Sequence, residues 1–152
     1  MPDIVTITWE EIEVAVTSLA RQITKIGQKY DGVCGIARGG VIPAVLIAGR
    51  LGIRKFRTFQ VRFYNDDEKE PGKRGYAIAD EPATYFPGKW LFVDDIIDSG
   101  ETRKVVEDRF LGHHFCALFA RKHMKGKVMA GLVLKEDSWL EFPWEKYRGA
   151  SK

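Results

Sequence analysis

Three carboxylates stand close together in the segment LFVDDIIDSGETR, residues 91–103. An apolar run leads directly into Asp94 and Asp95, and Asp98 follows just ahead of Ser99 and Gly100. Burying a carboxylate is unfavourable unless hydrogen-bond donors or cations compensate it, so two of them at the end of an apolar strand indicate a ligand. The segment passes from a predicted strand into a predicted helix, and the first N–H groups of a helix can hold a phosphate group.

The same segment combines donors for a phosphate group with acceptors for hydroxyls and cations. Ser99 and Thr102 add hydroxyl groups, and Gly100 lets the backbone approach a ligand closely. Carboxylates accept hydrogen bonds from vicinal hydroxyls, and Mg²⁺ prefers carboxylate and phosphate oxygens. One ligand that carries a phosphate group, a ribose and Mg²⁺ satisfies all of these groups. The alternative is a plain strand end at which Ser99 caps the next helix, and it leaves the aspartate pair unexplained.

A second set of candidate site residues is Arg38-Gly39-Gly40, which follows the apolar run GVCGIA. A guanidinium beside two glycine amides, just ahead of a helix, suits a dianion. The alternative is that Arg38 is a solvated turn residue. In parallel α/β sheets, ligands bind at the carboxyl ends of the strands. Both motifs follow predicted strands, so we predict that they form one site.

The elements that must position these motifs alternate between helix and strand. The capping pair Thr8 and Glu11, helical spacing of apolar residues, short apolar runs and Gly or Pro at the boundaries predict the following order: helix 9–27, strand 32–37, helix 41–52, strand 56–64, strand 89–93, helix 99–110, and strands 115–120 and 128–134. Residues 65–75 are predicted to be a long mobile loop, 76–86 weakly extended and the tail irregular. Short buried strands separated by helices predict an α/β fold with a mostly parallel sheet flanked by helices.

Composition excludes several classes of protein. The chain has 152 residues, 45% of them hydrophobic and 30% charged, which is typical of one globular domain. No apolar run approaches the roughly 20 residues of a membrane span, and the start of the chain lacks the pattern of a signal peptide, so we expect a cytoplasmic protein. The net charge of +3 is too small to indicate nucleic-acid binding. Cys34 and Cys116 lie in apolar stretches and are predicted to be core residues, with a disulfide or metal pair as the alternative.

The segment LFVDDIIDSGETR resembles the signature of type I phosphoribosyltransferases, in which an apolar strand precedes two acidic residues and an Asp-Thr/Ser-Gly-x-Thr motif. The chain as a whole is similar in length and layout to the xanthine-guanine phosphoribosyltransferases of purine salvage. ITWEEIEVAVTSLARQI resembles their N-terminal helix, GIARGGVIPAVLIAGRLGIR their pyrophosphate loop and DSWLEFPWE their purine segment. The resemblance covers nearly the whole chain and is weakest over residues 65–88.

The resemblance implies a transferase that moves the 5-phosphoribosyl group from 5-phosphoribosyl 1-pyrophosphate (PRPP) to guanine, xanthine or hypoxanthine. It implies Mg²⁺ as the cofactor, a homo-oligomer (a dimer or a tetramer), and no nucleic-acid partner. It also implies a single domain over 1–152, with a lid loop at about 65–88 and a purine-binding segment at about 121–147. Two alternatives stay open, a phosphoribosyltransferase for another nucleobase and a non-catalytic regulator that binds PRPP.

The resemblance assigns roles to the residues of the PRPP half of the site. Asp94 and Asp95 would hold the ribose hydroxyls, with Asp95 the preferred Mg²⁺ contact. Asp98 would be catalytic and manage the purine proton near nitrogen 7. The remaining contacts would be made to the two phosphate groups, namely Ser99, Gly100, Glu101 and Thr102 to the 5′-phosphate and Arg38, Gly39 and Gly40 to the pyrophosphate. Lys73 and Arg74 of the lid could reach the pyrophosphate, and the alternative is a solvated loop without such a contact.

The purine half departs from the relatives, which carry a lysine at the end of the strand equivalent to FCALFA. Position in the alignment favours Arg121 as the residue that contacts the base, whereas residue type favours Lys122. Adjacent strand residues face opposite sides, so only one of the two can contact the base. Trp139 would stack on the purine, and the carbonyls of Trp139 and Leu140 would accept from a two-position amino group. The alternative for this segment, including Trp144, is a hydrophobic tail packed on the core.

Overall fold

Six strands form the central sheet of the computed structural model, which describes residues 3–65, 74–79 and 86–145. The elements follow in the order β1 (Ile4–Thr6), α1 (Trp9–Ile26), β2 (Gly32–Ala37), α2 (Val41–Leu51), β3 (Phe56–Asn65), β4 (Arg74–Ala79), β5 (Trp90–Ile97), α3 (Glu101–Arg109), β6 (His114–Ala120), β7 (Met129–Val133) and β8 (Trp139–Glu141). The strand order is β4-β3-β2-β5-β6-β7, and every neighbouring pair is parallel except β3 and β4. The predicted mostly parallel sheet is therefore confirmed.

The first two helices begin and end where their local sequence signals predict. The Thr8 hydroxyl accepts a hydrogen bond from the Glu11 N–H at 3.2 Å, and the Glu11 carboxylate accepts one from the Thr8 N–H at 2.7 Å, which completes a capping box. Gly27 ends α1 and Gly52 ends α2, each in the left-handed conformation with φ of 73° and 69°. Glycine adopts this conformation without steric penalty, so it terminates helices efficiently.

The helices cover both faces of the sheet, as predicted. Helices α1 and α2 pack on one face, where Leu19 and Ile47 meet strand residues such as Val93. On the other face, Val106 of α3 and Phe110 just after it pack into a second cluster rich in aromatic rings. Strand side chains alternate between the two clusters, as residues with a period of two must.

Strand β5 is longer than the sequence analysis predicted. It was expected to end at Val93, but it continues to Ile97 because its pairing with β6 extends to Ile97 opposite Ala120. Its pairing with β2 ends earlier, at Gly35 opposite Val93. The residues after Val93 are thus held by a neighbouring strand on one side only, and the other side opens where β2 turns away.

The predicted loop over 65–75 is too long at both ends. Asn65 is the last residue of β3 and pairs with Arg74, the first residue of the antiparallel strand β4. Strand β4 takes the place of the weakly extended stretch predicted after the loop. Residues 66–73 and 80–85 lie outside the described residues, and with them Lys73 and most of the proposed lid.

The tail was predicted to be irregular, but it contains strand β8. This strand pairs in parallel with β1, which the sequence analysis did not predict either. The Trp139 N–H donates to the Asp3 carbonyl at 2.9 Å, and the Ile7 N–H donates to the Glu141 carbonyl at 2.8 Å. Strands of three residues are too short to show a periodic pattern, which explains why both were missed. Within the described ranges, no helix is long and apolar enough to cross a membrane.

Candidate active site

A cavity of about 820 Å³ opens at the carboxyl ends of β2 and β5, where parallel α/β sheets bind ligands. It is bordered by the turn after β2, by the acidic end of β5, by the first turn of α3 and by the end of the described chain. The lining residues that matter for its chemistry are Arg38, Gly39, Gln60, Asp94, Asp95, Thr102, Trp144 and Glu145. The two motifs that the sequence analysis assigned to one site therefore do meet.

The turn Arg38-Gly39-Gly40 lies directly against β5. The peptide bond that leads into Arg38 is cis. A Cβ atom on Gly39 would lie 2.7 Å from Cγ of Asp95, and one on Gly40 would lie 2.9 Å from Cα of Asp94. Gly40 therefore has no room for a side chain, because the nearest atoms are backbone, whereas a side chain at position 39 would displace the Asp95 carboxylate.

One detail of the predicted pyrophosphate loop is wrong. Two free glycine amides were expected, but the Gly40 N–H donates to the Ile36 carbonyl at 2.8 Å. The Val41 N–H likewise donates to the Arg38 carbonyl at 3.2 Å. These bonds hold the turn in place, and they leave the Arg38 guanidinium and the Gly39 amide as its groups for an anion.

Asp94 and Asp95 carry neighbouring, half-buried carboxylates. The Asp94 side chain accepts from the Asp95 N–H at 2.9 Å, and the Asp95 side chain accepts from the Ile96 N–H at 2.7 Å. Burial, and then the charge of Asp95, raises the pKa of the Asp94 carboxyl well above its usual range. Burial also raises the pKa of Asp95, although hydrogen bonds from Asp94 and Ile96 oppose this shift. A cation or hydroxyl donors at this position would stabilise the charged pair.

A smaller cavity of about 70 Å³ lies at the start of α3 and has Asp94 and Thr102 in common with the larger one. Its other polar walls are Asp98, Ser99, Gly100, Glu101 and Arg103. The helix begins at Glu101 rather than at the predicted Ser99, because Gly100 precedes it with a left-handed φ of 86°. The Ser99 hydroxyl accepts from the Glu101 N–H at 3.3 Å, but the N-cap residue of the helix is Gly100, so the alternative in which Ser99 caps the helix is wrong in that detail.

The residues predicted to bind the purine lie outside the two cavities, unlike most of those predicted to bind PRPP. The Arg121 side chain is only 9% exposed and donates from Nε to Asp98 Oδ1 at 3.2 Å. Lys122 is exposed in the short helical turn after β6. Trp139 is 54% exposed and Leu140 is buried. None of these four residues lines the two cavities above, and the Arg121 side chain is bonded to Asp98, which lines the smaller cavity only.

Three polar or aromatic residues that line the larger cavity were not predicted from the sequence to bind the ligand, namely Gln60, Trp144 and Glu145. The Trp144 ring stacks on Phe142 with centroids 4.8 Å apart, and its buried Nε1 has no hydrogen-bond partner among the described residues. The Glu145 carboxylate accepts from the Phe142 N–H at 3.0 Å, and its charge contributes to raising the pKa of Asp95. The one sequence feature that could have indicated Glu145 is a charged residue beside an aromatic run. Glu145 reaches the cavity only because β8 pairs with β1, and this pairing was not predicted.

The fold and the grouping of an arginine turn, paired carboxylates and a helix start define an α/β protein with a site for a phosphorylated ligand. The model of the phosphoribosyl transferase domain matches residues 8–142, so the chain belongs to this family. It is 29% identical over 143 residues to the xanthine-guanine phosphoribosyltransferase of Chromohalobacter salexigens, which covers 92% of this chain and 83% of that protein.

Further relatives agree with this assignment. The xanthine-guanine phosphoribosyltransferase of Cereibacter sphaeroides is 30% identical over 159 residues, with 94% of this chain and 92% of that protein covered. The crystal structure of the purine phosphoribosyltransferase of Pyrococcus horikoshii has the same fold, with a TM-score of 0.75, 24% identity and 99% of both chains covered. The phosphoribosyltransferase predicted from the sequence, and its fold, are thereby confirmed.

Proposed function

We propose that this protein transfers the 5-phosphoribosyl group from PRPP to a 6-oxopurine, namely guanine, xanthine or hypoxanthine. The observation that carries the proposal is the convergence of Arg38, the Asp94–Asp95 pair and Thr102 on one cavity at the carboxyl ends of the strands. A donor turn, a pair of acceptors and a helix start are the groups that a pyrophosphate, a ribose and a 5′-phosphate require. The names of the relatives agree with a purine as the acceptor.

In this proposal the two cavities hold the two ends of PRPP. Arg38 and the Gly39 amide bind the pyrophosphate, and the Asp94–Asp95 pair accepts from the ribose hydroxyls. The 5′-phosphate lies at the start of α3, where Gly100 and Thr102 line the smaller cavity. The Gly40 amide is excluded as a ligand contact because it is bonded to the Ile36 carbonyl.

The Asp94–Asp95 pair also fits Mg²⁺. Among the described residues, no three His, Cys, Asp or Glu side chains converge on one point, so the protein would offer these two carboxylates and the substrate and water the other oxygens. That division is usual for Mg²⁺, which is commonly held by one or two carboxylates together with substrate phosphates. When bound, the ion supplies positive charge beside the leaving pyrophosphate.

Asp98 is proposed to handle the proton of the base. In the reaction, the bond from the anomeric carbon to the pyrophosphate oxygen breaks and the pyrophosphate leaves with the electron pair. A purine nitrogen forms the new bond to that carbon, and the purine loses a proton. Asp98 lines the smaller cavity next to Asp94, at the border between the phosphate cradle and the purine segment, and its carboxylate can accept that proton.

The pairing of β1 with β8 indicates which backbone carbonyl can accept a hydrogen bond from an amino group at position 2 of the purine. Alternate residues of a parallel strand direct both of their backbone groups to the same neighbour. The Trp139 N–H and the Glu141 carbonyl are bonded to the β1 side, at Asp3 and Ile7. The Leu140 carbonyl therefore points away from β1 and is the one we propose as the acceptor, with the exposed Trp139 ring as the stacking surface.

Three parts of the proposal rest on the family alone. The lid residues Lys73 and Arg74 would contact the pyrophosphate, but the structure describes neither side chain. The protein would form a dimer or a tetramer, which light scattering after gel filtration would measure directly. A cytoplasmic location completes the proposal.

The proposal is tested by a spectrophotometric assay with PRPP, Mg²⁺ and each of guanine, xanthine, hypoxanthine and adenine. We expect turnover with at least one 6-oxopurine and none with adenine, and the absence of turnover with every base would refute the enzymatic function. Asp98→Asn should lower kcat by about 10²–10⁴-fold, the usual contribution of a positioned acid or base. Affinity for PRPP should stay within about twofold. The matched control is Asp108→Asn on the exposed side of α3, which should leave kcat unchanged, whereas equal losses of kcat and PRPP affinity in Asp98→Asn would make Asp98 a binding residue.

A further inference from the structure

Arg121 is the one buried charged side chain among the described residues, with a relative exposure of 8%. A charged group is buried only where partners compensate its lost hydration. The partners of the Arg121 side chain therefore indicate what this residue does.

The backbone of Arg121 is fixed on both sides. Its N–H donates to the Ile97 carbonyl at 3.1 Å, which continues the pairing of β5 with β6, and its carbonyl accepts from the Met124 N–H at 2.9 Å. The side chain therefore leaves from a rigid point between the end of β5 and the following helical turn.

The guanidinium of Arg121 joins two segments that are distant in sequence. Nε donates to Asp98 Oδ1 at 3.2 Å, and Nη1 donates to the Ser138 carbonyl at 2.7 Å. Asp98 follows β5, and Ser138 immediately precedes β8. The Asp98 side chain is itself 64% exposed, so this bond is what restricts its orientation and leaves Oδ2 as the oxygen for a ligand.

We propose that Arg121 is a positioning residue that sets the distance between the two walls of the base site, the Asp98 carboxylate and the Trp139–Leu140 backbone. We call this pair of bonds the Arg121 bridge. The inference rests on the proposed function, because it takes Asp98 as the group that accepts the purine proton. Arg121 acts through Asp98 and Ser138, and it is not itself the group on which the chemistry occurs.

A lysine cannot replace this bridge. The guanidinium is planar and directs its N–H groups to several acceptors at fixed angles, whereas an ammonium is a compact charge at the end of a flexible stem. A shift of about 1 Å in a catalytic group can reduce the rate by about 10²-fold. Arg121→Lys therefore retains the charge but releases at least one wall of the base site.

The test measures kcat and KM for guanine and PRPP in Arg121→Lys, Asp98→Ala and the double variant, by single-turnover assays where rates are low. We expect Arg121→Lys to lower kcat about 10- to 100-fold, with KM for PRPP within about twofold. In the Asp98→Ala background the same substitution should change kcat less than about threefold, because the bridge can no longer set the distance between the Trp139–Leu140 backbone and a carboxylate that has been removed. Arg50→Lys, at an exposed arginine on α2, is the matched control.

Two results would overturn the bridge. Retention of kcat in Arg121→Lys would show that position 121 acts as a simple cation toward the base. If the double variant lost kcat by the product of the losses in the two single variants, Arg121 would not act through Asp98.

A readout independent of catalysis is hydrogen–deuterium exchange of the Trp139 and Glu141 amides. Losing the bond to the Ser138 carbonyl should speed their exchange about tenfold or more in Arg121→Lys, and not in Arg50→Lys. If the parent protein turns over no base and exchange still rises, the proposed function fails while the bridge stands as a structural link. If the parent protein is active and neither exchange nor kcat changes in Arg121→Lys, the bridge fails and the proposed function stands.

Discussion

Gly40 is the position where adding one methyl group should separate the two motifs of the site. Its φ of −83° and ψ of −5° are ordinary for any residue, so Gly40→Ala meets no backbone restriction. The obstacle is space, because the new Cβ would lie 2.7 Å from the Ile36 carbonyl oxygen and 2.9 Å from Cα of Asp94, with the Val93 carbonyl closer still. All three are backbone atoms in or beside the sheet and cannot rotate away.

The size of the effect follows from that geometry. Ordinary contacts begin at 3.4 Å, so the turn must move by more than half an ångström away from β5. Overpacking of this kind costs about 1–3 kcal/mol. Weakening the bond from the Gly40 N–H to the Ile36 carbonyl costs a further 0.5–1.5 kcal/mol or so. We expect a loss of about 2–4 kcal/mol in the free energy of unfolding, which lowers the Tm of a domain of this size by about 5–15 °C.

The assay is thermal unfolding followed by circular dichroism, paired with PRPP binding by calorimetry at a temperature where the variant is folded. Gly49→Ala on α2 is the matched control, because nothing lies within 4 Å of its Cβ position. In a helix, this change stabilises by about 0.5–1 kcal/mol and should raise the Tm by a few degrees. A Gly40→Ala protein with an unchanged Tm and unchanged PRPP affinity would refute the close-packed turn.

Two further predictions concern groups outside the site. Burial raises the pKa of the Cys34 thiol to about 12 and also raises the pKa of the Cys116 thiol, so neither thiol should react with iodoacetamide at pH 7.5 until the protein unfolds. Rapid labelling of the folded protein, measured by mass spectrometry, would contradict this. Burial, with the charge of Lys89, lowers the pKa of His113 and His114, so the unfolded chain binds more protons than the folded one as the pH falls through about 6.5. The contribution of the two histidines to the free energy of unfolding should therefore fall between pH 7.5 and 5.5, while the raised pKa values of Asp94 and Asp95 act in the opposite direction. The difference in Tm between pH 7.5 and 5.5 should shift in the stabilising direction in His113→Asn/His114→Asn relative to the parent, and an equal slope in the two proteins would exclude the histidines as a cause.

The main elements of the fold could be predicted because their signals are local. The capping box at Thr8 and Glu11 and the glycines that end α1 and α2 act within one helical turn, so the sequence contains the complete cause. The strands β1 and β8 could not be predicted, because each has three residues and exists only through its pairing with the other. The end of β5 was misplaced for a related reason, since its last residues are held by β6 rather than by their own propensity.

The same distinction applies to the site. The segment from Asp94 to Thr102 is contiguous, so the residue types of one stretch predict both the carboxylate pair and the phosphate cradle. The purine half is assembled from parts that are far apart in the chain, and residue types alone could not show that the Arg121 side chain is engaged by Ser138. Glu145 was missed because it reaches the cavity only after β8 has been fixed against β1.

The two halves of the site are therefore held by different means. The proposed PRPP half stands on the central sheet, where β5 is paired with β6 and the turn after β2 is packed against it. The proposed base half stands on a two-stranded sheet of three-residue strands, and such a small sheet is stable only with outside support. The Arg121 bridge is one such support, and it connects the less stable half to Asp98, at the edge of the more stable one. We therefore expect substitutions in the tail to alter the choice of base without changing the affinity for PRPP, provided that the Arg121 bridge is kept.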